Sequence, residues 1–570
     1  MPEWLPQSVL ALRDYSRRKF FSDGLAGITV GLVALPLAMA FAISSGVSPQ
    51  NGIYCAIIAG FICSLLGGST TQISGPTGAF VVVVAGIVAK YGLDGLFTCT
   101  LIAGILLIIM GITGLGAAVQ YIPRPVVIGF TNGIAVLIAS TQIKDFFGLK
   151  VDKVPGEFWG RMATVIRHFN TLSLADTTLG AIALVLIILF MRYFKRIPGY
   201  IVALVVGTAI AMLMKLPVET IGMRFAPGIP SGLPHIFVPD LKLKLVLPLI
   251  SPALTVAMLG AIESLMSAVV SDRMSGSKHN PNTELFAQGV ANVISPLFGG
   301  LPATGAIART ATNIRSGGKT PVSGMIHSLT LLVVLMWAAP LANHVPLTVL
   351  AAILLVVSYN MGEWREIPQI LRLTKTDIWV WALTFFLTVF ADLTVAVEFG
   401  MILAALLFIR RVATTTTVTP VTEHYIEFGR VHSLQDKSIP AFVKIFRIHG
   451  PFLFGATEKI DEIERHLDEL PPVIIVRLRN MSALDGTGLM AMERVATTVQ
   501  QSGRAIIFCG ALPQPKQLME QSKFAEHVGA ENVLPNITDA LQRAREVFPA
   551  VEKEVRRKSD ERRAVGVTAN

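Results

Sequence analysis

Apolar stretches of roughly 18 residues or more follow one another from residue 24 to residue 409, separated by short runs rich in Gly, Pro and charge. The strict alternation of a membrane β-barrel strand is absent. Backbone in hydrocarbon must satisfy its own polar groups, so these stretches predict helices. Fourteen candidate spans result, near 24–45, 51–67, 76–90, 95–118, 125–143, 176–191, 199–214, 246–271, 284–298, 303–315, 320–341, 345–360, 376–391 and 393–410. Spans 3 and 10 are short. At ~1.5 Å per residue neither crosses a ~30 Å core alone. Each needs the extended piece before it, residues 71–75 or 301–302, to finish the crossing.

Both short spans open alike, with Pro76-Thr77-Gly78-Ala79 and Pro302-Ala303-Thr304-Gly305-Ala306, and each follows a Gly-Gly pair, Gly67-Gly68 or Gly299-Gly300. This reads as a duplicated broken helix. Half-helix N-termini present free N–H groups, and each end acts as about +0.5 charge, so two facing ends form an anion site. Gly78 and Gly305 would let a ligand approach the backbone, and Thr77 and Thr304 would add hydroxyls. The bland reading, that these residues only mark helix starts and close packing, suits one copy better than two at matching places. Seven spans is an odd number, so a second seven-span unit enters the membrane inverted, and span 3 then matches span 10.

The chain is 52% hydrophobic and 15% charged, where a soluble domain carries about 25% charged residues. Its net charge of +10 fits basic loops on one side of a membrane. Arg17, Arg18 and Lys19 precede span 1. Arg192, Lys195 and Arg196 follow span 6, and Arg315 and Lys319 follow span 10. Arg365, Arg372 and Lys375 follow span 12, and Arg410 and Arg411 follow span 14. All fall on the cytoplasmic side if both termini do, in a plasma or inner membrane. No clustered basic face points to nucleic acid. Residues 1–20 form a polar, basic cytoplasmic segment with no cleavable leader pattern. Cys55, Cys63, Cys99 and Cys509 have no metal-ligand or CxxC spacing and read as small packing residues.

Single side chains sharpen the picture. Glu263 sits mid-span in span 8, where a carboxylate costs roughly 2.5–3.5 kcal/mol on insertion scales. It should face a cavity or a partner, and it is the candidate ion-coupling residue. Arg309, five residues into span 10, would either add positive charge to the pocket, pair with Glu263, or cap helices beyond the pocket. Glu284 suits a first helical turn, Asp392 a helix–helix turn, and Glu398 is a lesser candidate. His327 reads as a satisfied packing histidine. Lys319 follows Gly317-Gly318, but a phosphate loop would need glycine where Asn313 stands, so a turn between helices is expected. No hydrolase elbow or zinc-protease helix occurs, so the chain has no enzyme chemistry, and no cofactor or metal is expected.

A soluble pattern begins after Arg411. Strands are expected at 443–448, 473–478 and 505–509, and helices at 458–470, 489–501 and 537–547. Strands alternating with helices imply a small α/β domain. The organisation is then residues 1–20, a transport domain over 21–412, a linker over 413–424, the α/β domain over 425–548 and a basic, disordered tail over 549–570. A dinucleotide reading of Gly486, Gly488 and Ala491 fails, because no acid ends the following strand.

At these residues the chain resembles the sulfate permease (SulP/SLC26) family of anion transporters. The matching stretches are ALPLAMAF at 34–41, ISGPTGA at 73–79 and IPRPVVIGF at 122–130. The most specific run starts at Glu263-Ser-Leu, passes through NTELFAQG at 282–289 and ends in FGGLPATGAIART at 298–310. The soluble part, with GPFLF at 450–454 and the 485–488 loop, resembles the STAS domain. The resemblance implies a polytopic α-helical membrane protein of fourteen spans in a seven-plus-seven inverted repeat, split into core and gate, with an elevator-like motion and a homodimer. It implies a substrate pocket at Phe41, Thr77, Gly78, Ala79, Thr304, Gly305 and Ala306 with Arg309 nearby, and it places the span 8 carboxylate at Glu263. Leu37 is apolar where some relatives carry a polar side chain. In the STAS loop Thr487 fills the place of a regulatory hydroxyl, although Gly486 departs from the usual pattern.

The expected activity is secondary active transport of a small anion of sulfate, C4-dicarboxylate or bicarbonate type, coupled to H+. The alternative is a sodium-coupled bicarbonate symporter, in which an Asp at the span 8 position ligates Na+. A reading of another class is an anion channel or sensor regulated through the STAS domain by a cytoplasmic partner. A channel would need a continuous polar stripe, and the spans carry few.

Overall fold

The computed structural model describes residues 4–116, 123–151, 154–194, 198–225, 228, 229, 232, 234, 236, 243–391, 399, 402, 403, 405–407, 409, 410, 414–421 and 438–567. Asp392, Glu398 and most of the fourteenth predicted span lie outside them. Contacts divide the chain into two compact units, Met1–Ala404 and Ala405–Asn570.

The first unit is helical. Its main helices are α1 (Arg17–Ser44), α2 (Pro49–Leu66), α3 (Gly78–Ile112), α4 (Arg124–Phe147), α5 (Leu174–Tyr193), α6 (Gly199–Leu213), α7 (Leu243–Ser275), α8 (Pro281–Ile294), α9 (Ile307–Arg315), α10 (Val322–Ala342), α11 (Leu347–Met361) and α12 (Lys375–Phe390). Among the described residues, eight helices are long and apolar enough to cross a membrane. Predicted spans 3 and 4 run on as the single element α3, which turns at Gly92 (φ 71°, ψ −171°), a conformation that costs glycine least. At nine residues α9 rises only about 13 Å and cannot cross alone.

Packing sorts these helices into two bundles, one of α1, α2, α3, α7, α8, α9 and α10, the other of α4, α5, α6, α11 and α12. Within the first bundle, α3 and α8 approach backbone to backbone. A Cβ added to Gly104 would lie 2.7 Å from the Val293 nitrogen, and one added to Gly289 would lie 2.6 Å from the Ile108 nitrogen. Small residues give membrane helices this close approach, where dispersion and backbone contact replace hydrophobic driving force. Between α2 and α3 lies β1 (Ser74–Gly75), and between α8 and α9 lies β2 (Thr304–Gly305).

The second unit carries a five-stranded sheet of β3 (Thr417–Pro420), β4 (Val443–His449), β5 (Val473–Asn480), β6 (Ala505–Cys509) and β7 (Val533–Leu534), in that spatial order. β3 is antiparallel to β4 and the remaining pairs are parallel. Helices α13 (Gly486–Gln501), α14 (Pro513–Gln521) and α15 (Ile537–Val567) accompany it. Two hydrophobic clusters, one holding Val476, Met492 and Phe508 and the other Ile475, Ile507 and Leu541, bury the central strands. Residues 549–567, expected as a disordered tail, continue α15, where Arg556 pairs with Glu552 at 2.7 Å and Arg557 with Glu554 at 2.5 Å. Such pairs at i,i+3 and i,i+4 support an exposed helix.

Candidate functional site

The two extended pieces meet. β1 and β2 pair antiparallel, Ser74 opposite Gly305 and Gly75 opposite Thr304. Their directions oppose, so α3 and α9 leave one crossing in opposite directions, N-terminus to N-terminus. Thr77 is the N-cap of α3 and Ala306 that of α9, and neither side chain bonds back to its own first turn. Among the described residues the amides of Gly78, Ala79, Ile307 and Ala308 have no acceptor. The second helix thus starts at Ile307, three residues later than the Thr-Gly-Ala reading gives, because Thr304 and Gly305 are used in the crossing. Ile307 and Ala308 are tip residues that the sequence motif does not mark.

Side chains from both bundles wall the α3 tip. A Cβ on Gly78 would meet Ile138 Cδ1 of α4 at 3.1 Å, Met361 Sδ of α11 at 3.3 Å and Phe41 Cε1 of α1 at 3.3 Å. Thr77 donates through Oγ1 to Glu263 Oε2 at 3.2 Å. Glu263 is half-buried, and among the described residues no lysine or arginine pairs with it. Its neighbour Ser264 is turned to the crossing, sharing a 2.8 Å hydrogen bond with Thr304 Oγ1 and accepting from the Gly305 nitrogen at 3.1 Å. Thr304 is fully buried, and its hydroxyl also reaches the Gly260 carbonyl at 3.0 Å. The two threonines therefore differ: Thr77 faces the half-buried Glu263 carboxylate, whereas the Thr304 hydroxyl is held by α7. Gly305 packs against the Gln72 amide, and a Cβ there would also press on Ser264 Cα at 3.0 Å, so this glycine serves close packing.

Arg309 stands in the first turn of α9, 2% exposed, and its Nη2 donates to the Pro76 carbonyl just before α3. A Cβ on Gly75 would lie 2.7 Å from Arg309 Nη1, and Gly75 has φ +152°. Arg309 thus ties one half-helix to the other and does not pair with Glu263.

Behind the crossing, α8 supplies the scaffold. Glu284, 1% exposed, accepts from the Gly68 nitrogen at 2.9 Å, the Ser69 nitrogen at 3.1 Å, Gln72 Nε2 at 3.0 Å and Gln288 Nε2 at 3.1 Å. Gln288 also donates to Ser74 Oγ at 2.6 Å, and Asn292 clasps Ala303 through both its carbonyl (2.9 Å) and its nitrogen (2.8 Å). Reading Glu284 only as a first-turn acid misses this. The available signal was three polar residues, 284, 288 and 292, spaced by four along an apolar helix.

A cavity of about 1000 Å³ opens between the bundles, bordered by Ile262 and Arg273 of α7, Arg124 and Ile128 of α4 and Tyr359 of α11, with Lys278 and Arg365 at its margin. Ile262 brings it to within one residue of Glu263. Leu37 is buried in the core. The residues around Lys319 form a turn whose Lys319 and Thr320 nitrogens donate to Asp23 Oδ1 at 2.7 and 3.2 Å. His327 is fully buried, packed in α10 as expected, with the Gly324 carbonyl one turn away as its partner and no second well-formed hydrogen bond among the described residues. In the second unit Thr487 is exposed on the first turn of α13, where Asp485 caps the helix by accepting from the Gly488 nitrogen at 2.7 Å and also accepts from the Phe454 nitrogen at 3.0 Å. Among the described residues no group of three or more His, Cys, Asp or Glu side chains could hold a metal ion.

Residues 20–384 match the sulfate permease family and residues 435–544 match the STAS domain. YvdB of Bacillus subtilis, whose name carries a provisional assignment to sulfate transport, is 38% identical over 523 residues, covering 91% of this chain and 97% of its own. The bicarbonate transporter BicA of Synechocystis is 32% identical over 543 residues, covering 92% of this chain and 94% of its own. The murine anion transporter Slc26a9, solved in the inward-facing state, shares the fold with a TM-score of 0.85 at 18% identity, covering 95% of this chain and 94% of that one.

Proposed function

Since this chain belongs to the sulfate permease (SulP/SLC26) family of anion transporters, a non-catalytic family, and carries a C-terminal STAS domain, we propose that it is a proton-coupled symporter of a small divalent anion. The anion binds between the tips of α3 and α9, at the amides of Gly78 and Ala79 beside Phe41 and Thr77 on one side and at the α9 tip on the other, where Ile307 and Ala308 offer the amides, Thr304, Gly305 and Ala306 hold the tip in place, and the buried Arg309 adds positive charge from behind. The observation that carries this reading is the antiparallel crossing of Ser74–Gly75 with Thr304–Gly305, which brings two helix N-termini with unpaired amides together beside Glu263.

Electrostatics sets the coupling. Two helix ends supply about +1, and Arg309 raises this to roughly +2. An ionised Glu263 cuts it to about +1 and a protonated one restores it, so a divalent anion binds best together with a proton. The half-buried Glu263, joined to the anion site by the Thr77 hydroxyl, supports that assignment.

The bundle holding the crossing is the moving core of an elevator and the other is the gate, in a seven-plus-seven arrangement of fourteen spans over residues 21–412. With the termini cytoplasmic in a plasma membrane, the cavity beside Arg365 opens inward. The protein is a homodimer, residues 425–548 form the STAS domain, and that domain is regulated by phosphorylation at Thr487 or by a cytoplasmic protein partner. Proteoliposome uptake of sulfate, bicarbonate, C4-dicarboxylates and chloride, with pH and sodium varied separately, tests this. Uphill uptake of a divalent anion driven by an inward proton gradient is the expected result, and uptake indifferent to pH refutes the coupling.

The similarity to the bicarbonate transporter BicA favours bicarbonate as the substrate of a second reading, in which Na+ ligated by Glu263 replaces the proton. Bicarbonate uptake that requires sodium at constant pH selects it.

A further inference from the structure

Two buried polar groups near the crossing lack a full set of well-formed partners among the described residues: the His327 imidazole, within reach of the Gly324 carbonyl alone, and Nη1 of Arg309. His327 is fully buried and Arg309 is 2% exposed. A neutral imidazole carries one donor and one acceptor, and a guanidinium nitrogen only donates. Folded interiors seldom leave such atoms unpaired, and where the site is polar and has room they are bridged by ordered water.

The groups share one small-residue face. A Cβ on Gly60 of α2 would lie 3.7 Å from His327 Cε1, 3.1 Å from the Ser74 carbonyl oxygen and 2.9 Å from Ser328 Oγ. A Cβ on Gly75 would lie 2.7 Å from Arg309 Nη1 and 3.4 Å from Ala56 Cα. Ala56 and Gly60 are one turn apart on α2, and Ser74 and Gly75 are consecutive in β1. Imidazole and guanidinium therefore both approach the contact between α2 and β1, where Gly60 and Gly75 add no side chain. The Ser74 carbonyl and the Ser328 hydroxyl, which itself donates to the Ala56 carbonyl at 3.3 Å, add polar atoms to the lining.

We propose that buried water bridges the His327 imidazole to Arg309 Nη1, and that His327 is thereby a positioning residue for Arg309. The guanidinium is then fixed at both ends, by water on Nη1 and by the Pro76 carbonyl on Nη2, and the separation of the α3 and α9 tips is fixed with it. The inference does not depend on which anion the tips hold.

The test is a structure of the full-length protein in lipid, at a resolution that orders buried waters, for the wild type, His327→Leu and His327→Gln. Wild type is expected to show water density about 2.7–3.2 Å from an imidazole nitrogen and from Arg309 Nη1. His327→Leu is expected to lose that density and to release Nη2 from the Pro76 carbonyl, and His327→Gln to retain both. A dry wild-type site, with other buried waters visible, or a direct His327–Arg309 contact overturns the water bridge. Arg309 unmoved in His327→Leu overturns the positioning role. If His327→Leu fails to fold, the wild-type density and the His327→Gln geometry decide.

Discussion

Two carboxylates in one helical bundle should respond oppositely to mutation. Glu284 is 1% exposed and accepts four hydrogen bonds, two of them from the backbone nitrogens of Gly68 and Ser69. The Gln72 and Gln288 amides can rotate in its absence; the two backbone donors cannot. A stranded buried donor costs about 1–3 kcal/mol, so Glu284→Ala should lose ~2–6 kcal/mol. Glu284→Gln keeps the volume and one carbonyl oxygen but turns an NH2 group toward donors, and should lose roughly 1–3 kcal/mol. Glu263 is half-buried and accepts one bond from Thr77 at 3.2 Å, which a glutamine oxygen can also accept. Glu263→Gln should therefore lose about 1 kcal/mol or less, well short of Glu284→Ala. Reversible unfolding of the purified protein in mixed micelles or bicelles, followed by intrinsic fluorescence, measures all three. Glu284→Ala as stable as wild type, or Glu263→Gln falling as far as Glu284→Ala, refutes the division into a scaffold acid and a working acid.

Glu263→Gln should keep anion binding yet lose uptake driven by a pH gradient, and proteoliposome uptake that still follows an imposed gradient would count against the coupling role. Gly75→Ala forces a Cβ to 2.7 Å from Arg309 Nη1 at φ +152°, so about 1–3 kcal/mol of strain should reach the crossing and transport should fall at least tenfold while expression persists; wild-type uptake in that variant would show the crossing to be slack. Burial pushes the Cys509 thiol up to about 12, leaving roughly one part in ten thousand as thiolate at pH 8. With all four cysteines buried, the native protein should resist maleimide and take up label only in denaturant, as read by mass spectrometry.

Much of the site could be read from residue order because broken helices carry strong local signals. A lone proline or glycine does not end a helix here, as Pro36 in α1 shows, but the doubled Pro…Thr-Gly-Ala pattern after a Gly-Gly pair pointed to both half-helices. The exact start of α9 was not legible. Thr304 and Gly305 make good helix openers, and only their pairing with Ser74 and Gly75, some 230 residues earlier in the chain, turns them into strand. Glu284 was undervalued for a similar reason: its donors come from residues 68–72, and a lone acid in a first turn already has a local explanation. In the second unit the central strands β4, β5 and β6 followed from apolar runs. β3 was missed because it falls inside residues 413–424, which read as a linker, and β7 because two residues carry no period. α15 outran its expected end because acid–base pairs, not apolar spacing, extend it.

If facing half-helix tips hold the anion, a structure of the full-length protein in lipid, with the anion that the uptake panel identifies, will show density within about 3.5 Å of the amides of Gly78 or Ala79 and of Ile307 or Ala308. Anion density confined to the cavity beside Arg273 and Lys278, with the tips empty under saturating anion, would contradict it.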